Sequence, residues 1–294
     1  MNPSSIVITG YGAVCGAGRT PEALWENVVS GKISTRPIAQ WDASAWPQPL
    51  AVEVAPSELR TLVDDRRVQK MVSRTDLFGL CAATGAFQSS GLDTHRKSLT
   101  AEALTAFNER SGVFAGSGGG NYRSGYEFFP LMTAAAQDRT AFGRELETTV
   151  DPMWLLRQLP NNVVCHVGIR HTFRGTNACI TNHAVGGTLA ISEAASAIEA
   201  GEADRAIAIG HDAPLEPETL LHFERLGLLT RDVLRPFDRH RTGTQYGEGA
   251  AAVLLERAGD ATARGATILG EWLGFGFVTE GTGILDVRPD GDGM

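Results

Sequence analysis

The chain has 294 residues, with 26 Lys and Arg against 34 Asp and Glu and a formal net charge of −8 at pH 7. At 43% hydrophobic and 20% charged, it can bury a sizeable core, which excludes intrinsic disorder, and its length suits two units of about 150 residues or one large layered domain. The acidic balance argues against general nucleic-acid binding, because a phosphate backbone calls for an excess of Lys and Arg, and an anionic substrate would need a local basic patch.

The first apolar run, Ile6-Val7-Ile8, meets Thr9-Gly10-Tyr11-Gly12 and then Cys15-Gly16-Ala17-Gly18. A β-branched run closed by glycines predicts a buried strand leading into a tight turn. Pro21 opens a predicted helix with Ala23, Leu24, Val28 and Val29 at helical spacing, and Gly31 ends it. A second helix is predicted over Asp76 to Leu92, with Leu77, Leu80, Cys81, Thr84 and Phe87 on one stripe. Further strands are predicted at 112–116, 178–181 and 206–210, with a small-residue helix over Thr188 to Glu199 between the last two. A strand at 250–255, a helix over 258–265 and a strand-like stretch over 267–278 follow. Strands alternating with helices imply an α/β layered fold with a largely parallel sheet.

No window reaches the roughly 20 apolar residues of a bilayer span, and the opening MNPSSIVITG lacks the pattern of a secretory signal. A cytoplasmic protein without membrane contact is expected. The four cysteines, Cys15, Cys81, Cys165 and Cys179, lie far apart with no CxxC spacing, so buried thiols are expected rather than disulfides or a zinc site. Gly12, Gly16 and Gly18 after a strand have the spacing of a dinucleotide-binding turn. No Tyr is followed by Lys four residues on, as a short-chain dehydrogenase would need, and close packing of strand on helix is the favoured account of the glycines. The run Gly116 to Gly120 lacks the Lys-Ser/Thr of a phosphate loop. No cofactor and no metal are expected.

Several phrases together resemble the β-ketoacyl-acyl-carrier-protein synthases of the thiolase fold. Ile6 to Val14 is similar to the family's opening strand, and Leu24-Trp25-Glu26-Asn27 with Gly31-Lys32 to its first helix. Leu159-Pro160-Asn161 followed by Val167-Gly168-Ile169-Arg170 is similar to the family's segment before the active-site strand. The most specific match is Arg235-Pro236-Phe237-Asp238-x-x-Arg241-x-Gly243-x-x-x-Gly247-Glu248-Gly249. The resemblance implies a thiolase-like α-β-α-β-α layered fold. It implies a complete first thiolase half over residues 1–249 and the beginning of a truncated second half over 250–294.

The family's nucleophile is a Cys on a sharp turn between a strand and a helix, where helix amides lower its pKa. Matching Gly175-Thr176-Asn177 and Gly201-Glu202-Ala203-Asp204 to the family's flanking phrases without a gap puts Ala184 at that position. A methyl group cannot carry an acyl chain. Cys179 lies five residues earlier, within the strand, and reads as an inert core thiol. His183 matches a small family residue and reads as a pocket-lining or core group. The His-Gly-Thr-Gly-Thr and Lys-Ser-x-x-Gly-His phrases that supply the family's acid–base residues do not occur in these 294 residues.

The resemblance therefore implies a chain-length factor, a subunit without a nucleophile that pairs with a catalytic ketosynthase and shapes the acyl cavity. Polyketide, aryl-polyene or fatty-acid-like elongation on acyl carrier protein is the expected setting, and Val185-Gly186-Gly187 resembles the Ala-Gly-Gly of such subunits. The heterodimer is expected to form through the strand carrying Asn177, Cys179 and Thr181. Phe128, Phe129, Met132 and Trp154 are the expected bulky residues of the acyl cavity or interface. Two other readings stay open: a fragment or Cys-to-Ala variant of a catalytic synthase, and a dinucleotide-dependent oxidoreductase.

Overall fold

The computed structural model describes residues 2–118 and 130–293. Among the described residues there are eight strands: β1 (Ile6–Cys15), β2 (Arg36–Pro37), β3 (Leu50–Ala51), β4 (Ser111–Ser117), β5 (Asn177–Thr181), β6 (Arg205–Asp212), β7 (Gly249–Arg257) and β8 (Gly270–Glu271). Six of them form one sheet in the order β5-β4-β6-β7-β1-β8, and β2 pairs with β3 apart from it. The helices used below are α1 (Pro21–Val29), α2 (Arg74–Ser89), α3 (Arg139–Thr149), α4 (Trp154–Gln158), α5 (Asn162–His171), α6 (Gly186–Glu199), α7 (Pro217–Arg225) and α8 (Ala258–Ala263).

Alternation along the strands sorts the core into two layers, since successive side chains point to opposite faces. Val113, Ala115, Ile207, Ile209, Ala252 and Leu254 pack with Phe78, Ala82 and Ala86 of α2 and with Val163, Val164 and Val167 of α5. Phe114, Ala206, Ala208 and Leu255 point the other way, onto Ala190, Ala194, Ala195, Ala197 and Ile198 of α6. These are the helix, sheet and helix layers expected of a thiolase-like half. A capping box, in which Ser73 and Asp76 bond each other's backbone amides, starts α2.

The sheet is mixed, not largely parallel. Only β4 with β5 and β4 with β6 run parallel; β7 is antiparallel to both β6 and β1. The cause is the connection over residues 213–248, which returns at the same end of the sheet: Gly249 opens β7 opposite Asp212, the last residue of β6. A parallel partner needs a crossover along a face, and this segment makes none. Because β7 is an interior strand, the sheet continues beyond residue 249.

The turn expected at Thr9 to Gly12 is instead continuous strand through Cys15, with a register shift between Ile8 and Gly10. The glycines there face a helix. A Cβ on Gly12 would stand 2.7 Å from the Ala86 amide nitrogen and overlap the Ala82 carbonyl of α2. The closeness that a dinucleotide pyrophosphate would require is already used by α2, so the glycines serve packing. The strand expected over 267–278 shrinks to Gly270–Glu271, with Leu273, Phe277 and Val278 exposed. The apolar side chains of α1 do not reach the core: Trp25, Val28 and Val29 are exposed. The cysteines also differ from expectation, since Cys165 is exposed and Cys15, Cys81 and Cys179 are half-buried.

Two charged clusters tie the layers together. Arg74, at the start of α2, pairs with Glu248 through Nε at 2.8 Å and through its terminal nitrogen, and donates to the Val54 carbonyl. Glu248 also accepts from the Val54 amide and from Gln40, while Glu53 accepts from the Ala39 amide. At the far end of the sheet, Arg264 grips the fully buried Glu256 with two nitrogens, and Thr9 donates to the same carboxylate. Removing one partner of such a pair strands a buried charge at a cost of about 3–5 kcal/mol.

Gly12→Ala is expected to destabilise the fold by about 1–3 kcal/mol because the added methyl meets backbone that cannot step aside. Gly143→Ala, in α3 with open space around it, is expected to gain about 0.5–1 kcal/mol from helix propensity. Urea unfolding of the two variants checks the contrast, and equal effects would refute this packing account.

Candidate functional site

The site forms where β1, β4 and β6 end and β7 begins. A row of small residues crosses the sheet there in register: Gly116 pairs with Gly210, Gly210 with Ala251, and Ala251 with Ala13, while Ile180 of β5 lies on the outer side of Gly116. The start of α6 lies directly on this row. A Cβ on Gly116 would meet the Gly187 nitrogen at 2.8 Å and overlap the Gly186 carbonyl, and one on Gly210 would stand 3.0 Å from the Gly187 Cα. The strands have no room for a side chain here, and on the helix a Cβ at 187 would already stand 3.3 Å from the Gly210 Cα.

Strand β5 therefore hands the chain to α6 through the turn Asn182-His183-Ala184-Val185. Asn182 anchors the turn. Its amide donates to the Ser117 carbonyl at 3.0 Å, and its side-chain oxygen accepts from the amides of Ala184 and Val185 at 3.1 and 3.2 Å. Its carbonyl accepts from the Gly186 amide. Ala184 is exposed on this turn, immediately before α6. Beside it opens a cleft of about 420 Å³ lined by Ala13, Cys15, Gly116, Gly118, His183, Ala184, Asp212 and Ala250 among others.

Charged and aromatic groups edge the cleft. Alternation along β6 sends His211 and Asp212 to opposite faces. His211 points toward α2, where its Nδ1 lies 3.0 Å from the Thr75 hydroxyl, and burial pushes its pKa down to about 4. Asp212 faces the cleft. Burial raises its carboxyl above the usual range, opposed by the Ala213 amide, at 2.8 Å, and by the nearby His183. His183 is exposed and meets Phe223 edge-on at 6.2 Å, and Phe223 stacks on Tyr246 at 4.4 Å. Burial followed by the charge of Asp212 raises the Tyr246 phenol.

The remaining predicted residues fall in different places. Asn177, Cys179 and Thr181 lie on β5, which among the described residues is an edge of the sheet and pairs on one side only. The Cys179 thiol donates to the Pro160 carbonyl at 3.2 Å, and burial pushes its pKa up; a nucleophilic thiol needs the opposite shift. Met132 is exposed, Trp154 is half-buried at the start of α4, and neither lines the cleft. Phe128 and Phe129 lie outside the described residues. Cys15, Asp212 and the Arg74–Glu248 anchor were not singled out from sequence. For Glu248 a signal existed, because it sits inside the most specific motif; for Asp212 only its place at the end of a strand pointed to it.

Among the described residues no three or more His, Cys, Asp or Glu side chains gather as metal ligands, and no helix is long and apolar enough to cross a membrane.

The β-ketoacyl synthase N-terminal domain model matches residues 3–261, and the chain belongs to that family. It is similar to 3-oxoacyl-[acyl-carrier-protein] synthase 2 of Coxiella burnetii, at 28% identity over all of this chain and 68% of that protein. It is equally similar to the Staphylococcus aureus protein of the same description, at 28% identity over 98% of this chain and 66% of the relative. Among solved structures, the ishigamide ketosynthase/chain length factor superposes with a TM-score of 0.75 at 26% identity, covering 92% of this chain and 62% of that one. A β-ketoacyl synthase from Burkholderia phymatum has the same fold, with a TM-score of 0.75 at 23% identity over 96% of this chain and 66% of the other. The chain thus spans about two thirds of the length of these relatives.

Histidine burial sets an acid limit on stability. Burial, reinforced by Arg170 and Arg96, also holds His171 at about 4, where its ring lies 4.1 Å from that of Phe87. Unfolded histidines bind protons from about pH 6.5 downward, whereas folded His171 and His211 stay neutral until about 4. The unfolded state therefore binds more protons in that window, and stability falls as pH drops from 6.5 to about 4. The urea midpoint is expected to decline across this range, and less steeply in His171→Phe. An unchanged slope in that variant would remove His171 from the account.

Proposed function

We propose that this chain acts as a ketosynthase-like subunit without its own nucleophile, a chain-length factor that pairs with a catalytic ketosynthase. The observation that carries the reading is Ala184 on the turn before α6. The turn, the strand before it and the helix after it make the setting in which the family places a thioester-forming Cys, and the side chain there is a methyl. A second feature agrees: Asn182 takes up the amides of Ala184 and Val185, so the first donors beside the cleft are satisfied within the turn. Condensation would then depend on the partner's nucleophile, with the growing chain held on acyl carrier protein.

The unpaired edge of β5 supports pairing through Asn177, Cys179 and Thr181. Among the described residues its outer backbone groups have no strand partner, and it carries neither a proline nor a charged side chain to discourage association. In this reading Met132 and Trp154, with Phe128 and Phe129, contribute to the interface or the far end of the cavity. The proposed division into a first half over residues 1–249 and the beginning of a second half over 250–294 falls at the start of β7, an interior strand of the sheet.

The resemblance to 3-oxoacyl synthase 2 proteins favours a second reading, a catalytic synthase in which Ala stands in place of Cys. Co-purification with ketosynthases that carry an intact Cys, followed by mass spectrometry of the acyl products, separates the two. A chain-length factor is expected to form a stable complex whose product length differs from that of the ketosynthase alone. Thr181→Lys is expected to weaken the complex at least tenfold. Unchanged products in the presence of this chain would sink the reading.

A further inference from the structure

The turn at residue 184 is short of more than a nucleophile. Three successive amides open it, those of Ala184, Val185 and Gly186, and one residue takes up all of them. The Asn182 side-chain oxygen accepts from Ala184 at 3.1 Å and from Val185 at 3.2 Å, and the Asn182 main-chain carbonyl accepts from Gly186 at 3.1 Å. Asn182, His183 and Ala184 line the cleft, so these contacts are made at its wall. The backbone has other supports. The Asn182 amide donates to the Ser117 carbonyl at 3.0 Å, and Gly186 and Gly187 lie against Gly116 and Gly210.

Acyl transfer at such a turn makes a definite demand on those amides. When a sulfur at position 184 attacks a thioester, the carbonyl oxygen becomes an oxyanion, and backbone amides beside the attacking atom are the donors that stabilise it. They do so from about 2.7–3.1 Å. A carboxamide and a thioester present the same kind of acceptor, an sp² carbonyl oxygen. Asn182 therefore holds the donors of Ala184 and Val185 with the type of atom, and at nearly the distance, that a thioester carbonyl would use. Each amide has one hydrogen to give, so an incoming carbonyl must displace the carboxamide or go without.

We propose that Asn182 is an internal occupant of the carbonyl-binding position and closes the turn to acyl transfer independently of Ala184. The turn is shut twice, once by the missing sulfur and once by the carboxamide. This rests on the reading of residue 184 as the nucleophile's place. It goes beyond that reading by giving a second residue control over whether a thioester engages. Asn182 acts through the amides without touching the acyl group, and so is a positioning residue. With sulfur restored by Ala184→Cys, the thiolate attacks the carbonyl carbon and the C=O electron pair moves to oxygen. As the carbonyl re-forms, the bond to the departing sulfur breaks, and that thiolate takes up the proton given by the thiol at 184.

The test uses the full chain carrying Ala184→Cys, alone and with Asn182→Ala, Asn182→Leu or Asn182→Asp. Each is treated with octanoyl-N-acetylcysteamine and, separately, with iodoacetamide, and the rate at position 184 is followed by peptide mapping. Alkylation forms no oxyanion, so it reports access and thiolate content, and the ratio of acylation to alkylation reports the carbonyl-binding amides. Ala184→Cys alone is expected to acylate fully but slowly. Asn182→Ala and Asn182→Leu, which lack the oxygen, are expected to raise the ratio at least about tenfold, within the 100–1,000-fold that one oxyanion donor commands. Asn182→Asp keeps an acceptor on the amides and is expected to leave the ratio within about twofold. An unchanged ratio in whichever oxygen-free variant keeps the parent's melting transition, or an equal rise in Asn182→Asp, would overturn the proposal. Unfolding of both oxygen-free variants would overturn it as well, because the carboxamide would then be needed to hold the turn. Resistance of position 184 to iodoacetamide in every variant would contradict the reading of residue 184 itself, whereas ready alkylation with an unchanged ratio sinks the role of Asn182 alone.

Discussion

The contact on which the site depends is one without side chains. Where α6 begins, Gly186 and Gly187 lie against Gly116 and Gly210 of the two central parallel strands, close enough that a single methyl on either strand would collide with helix backbone. This contact fixes how far β5 can run before the chain turns. It holds the turn Asn182 to Val185 at the rim of the sheet and opens the cleft between that turn and the ends of β1 and β6. Ligands of open α/β sheets gather outside strand ends in this manner, where loops rather than packed side chains meet the solvent. Because the contact excludes side chains on the strands and leaves little room for them on the helix, the residues framing the cleft are small for reasons of packing. The space beside Ala184 follows from that.

Two consequences follow for the chemistry. The turn must satisfy its own amides, and Asn182 does so with one side-chain oxygen; the side chain at 184 is a methyl. The polar groups reach the cleft from elsewhere, by strand alternation. His211 and Asp212 are neighbours in sequence, yet the first is buried against α2 and stays neutral, while the second faces the cleft near His183. The buried Arg74–Glu248 pair lies at the start of α2 and joins the segments around Val54 and Gly249 to it. Within the family's most specific phrase, Glu248 therefore serves to anchor the frame.

Much of the architecture was legible in the sequence, and the exceptions have physical causes. The strands at 111–117, 177–181, 205–212 and 249–257 and the helices from Pro21, Arg74, Gly186 and Ala258 follow from β-branched runs, apolar spacing and glycine or proline punctuation. The direction of β7 was not legible, because it depends on where the connection over 213–248 travels, and local pattern says nothing about that. The glycines at 10 and 12 suggested a turn because glycine marks both turns and close contacts, and only α2 lying across β1 distinguishes the two. The position of Ala184 followed from the resemblance of the flanking phrases. The convergence of Asp212 on His183 joins residues 29 positions apart in the sequence and could be found only in three dimensions.

The central claim is that residue 184 occupies the nucleophile's place and that no other thiol substitutes for it. Intact-mass spectrometry after incubation with octanoyl-N-acetylcysteamine tests it directly, with peptide mapping to locate any added acyl group. The account predicts no octanoyl adduct on the unaltered chain and a single adduct at residue 184 in Ala184→Cys. An adduct on the unaltered chain at Cys15 or Cys179, or an Ala184→Cys variant that remains unmodified, would contradict it.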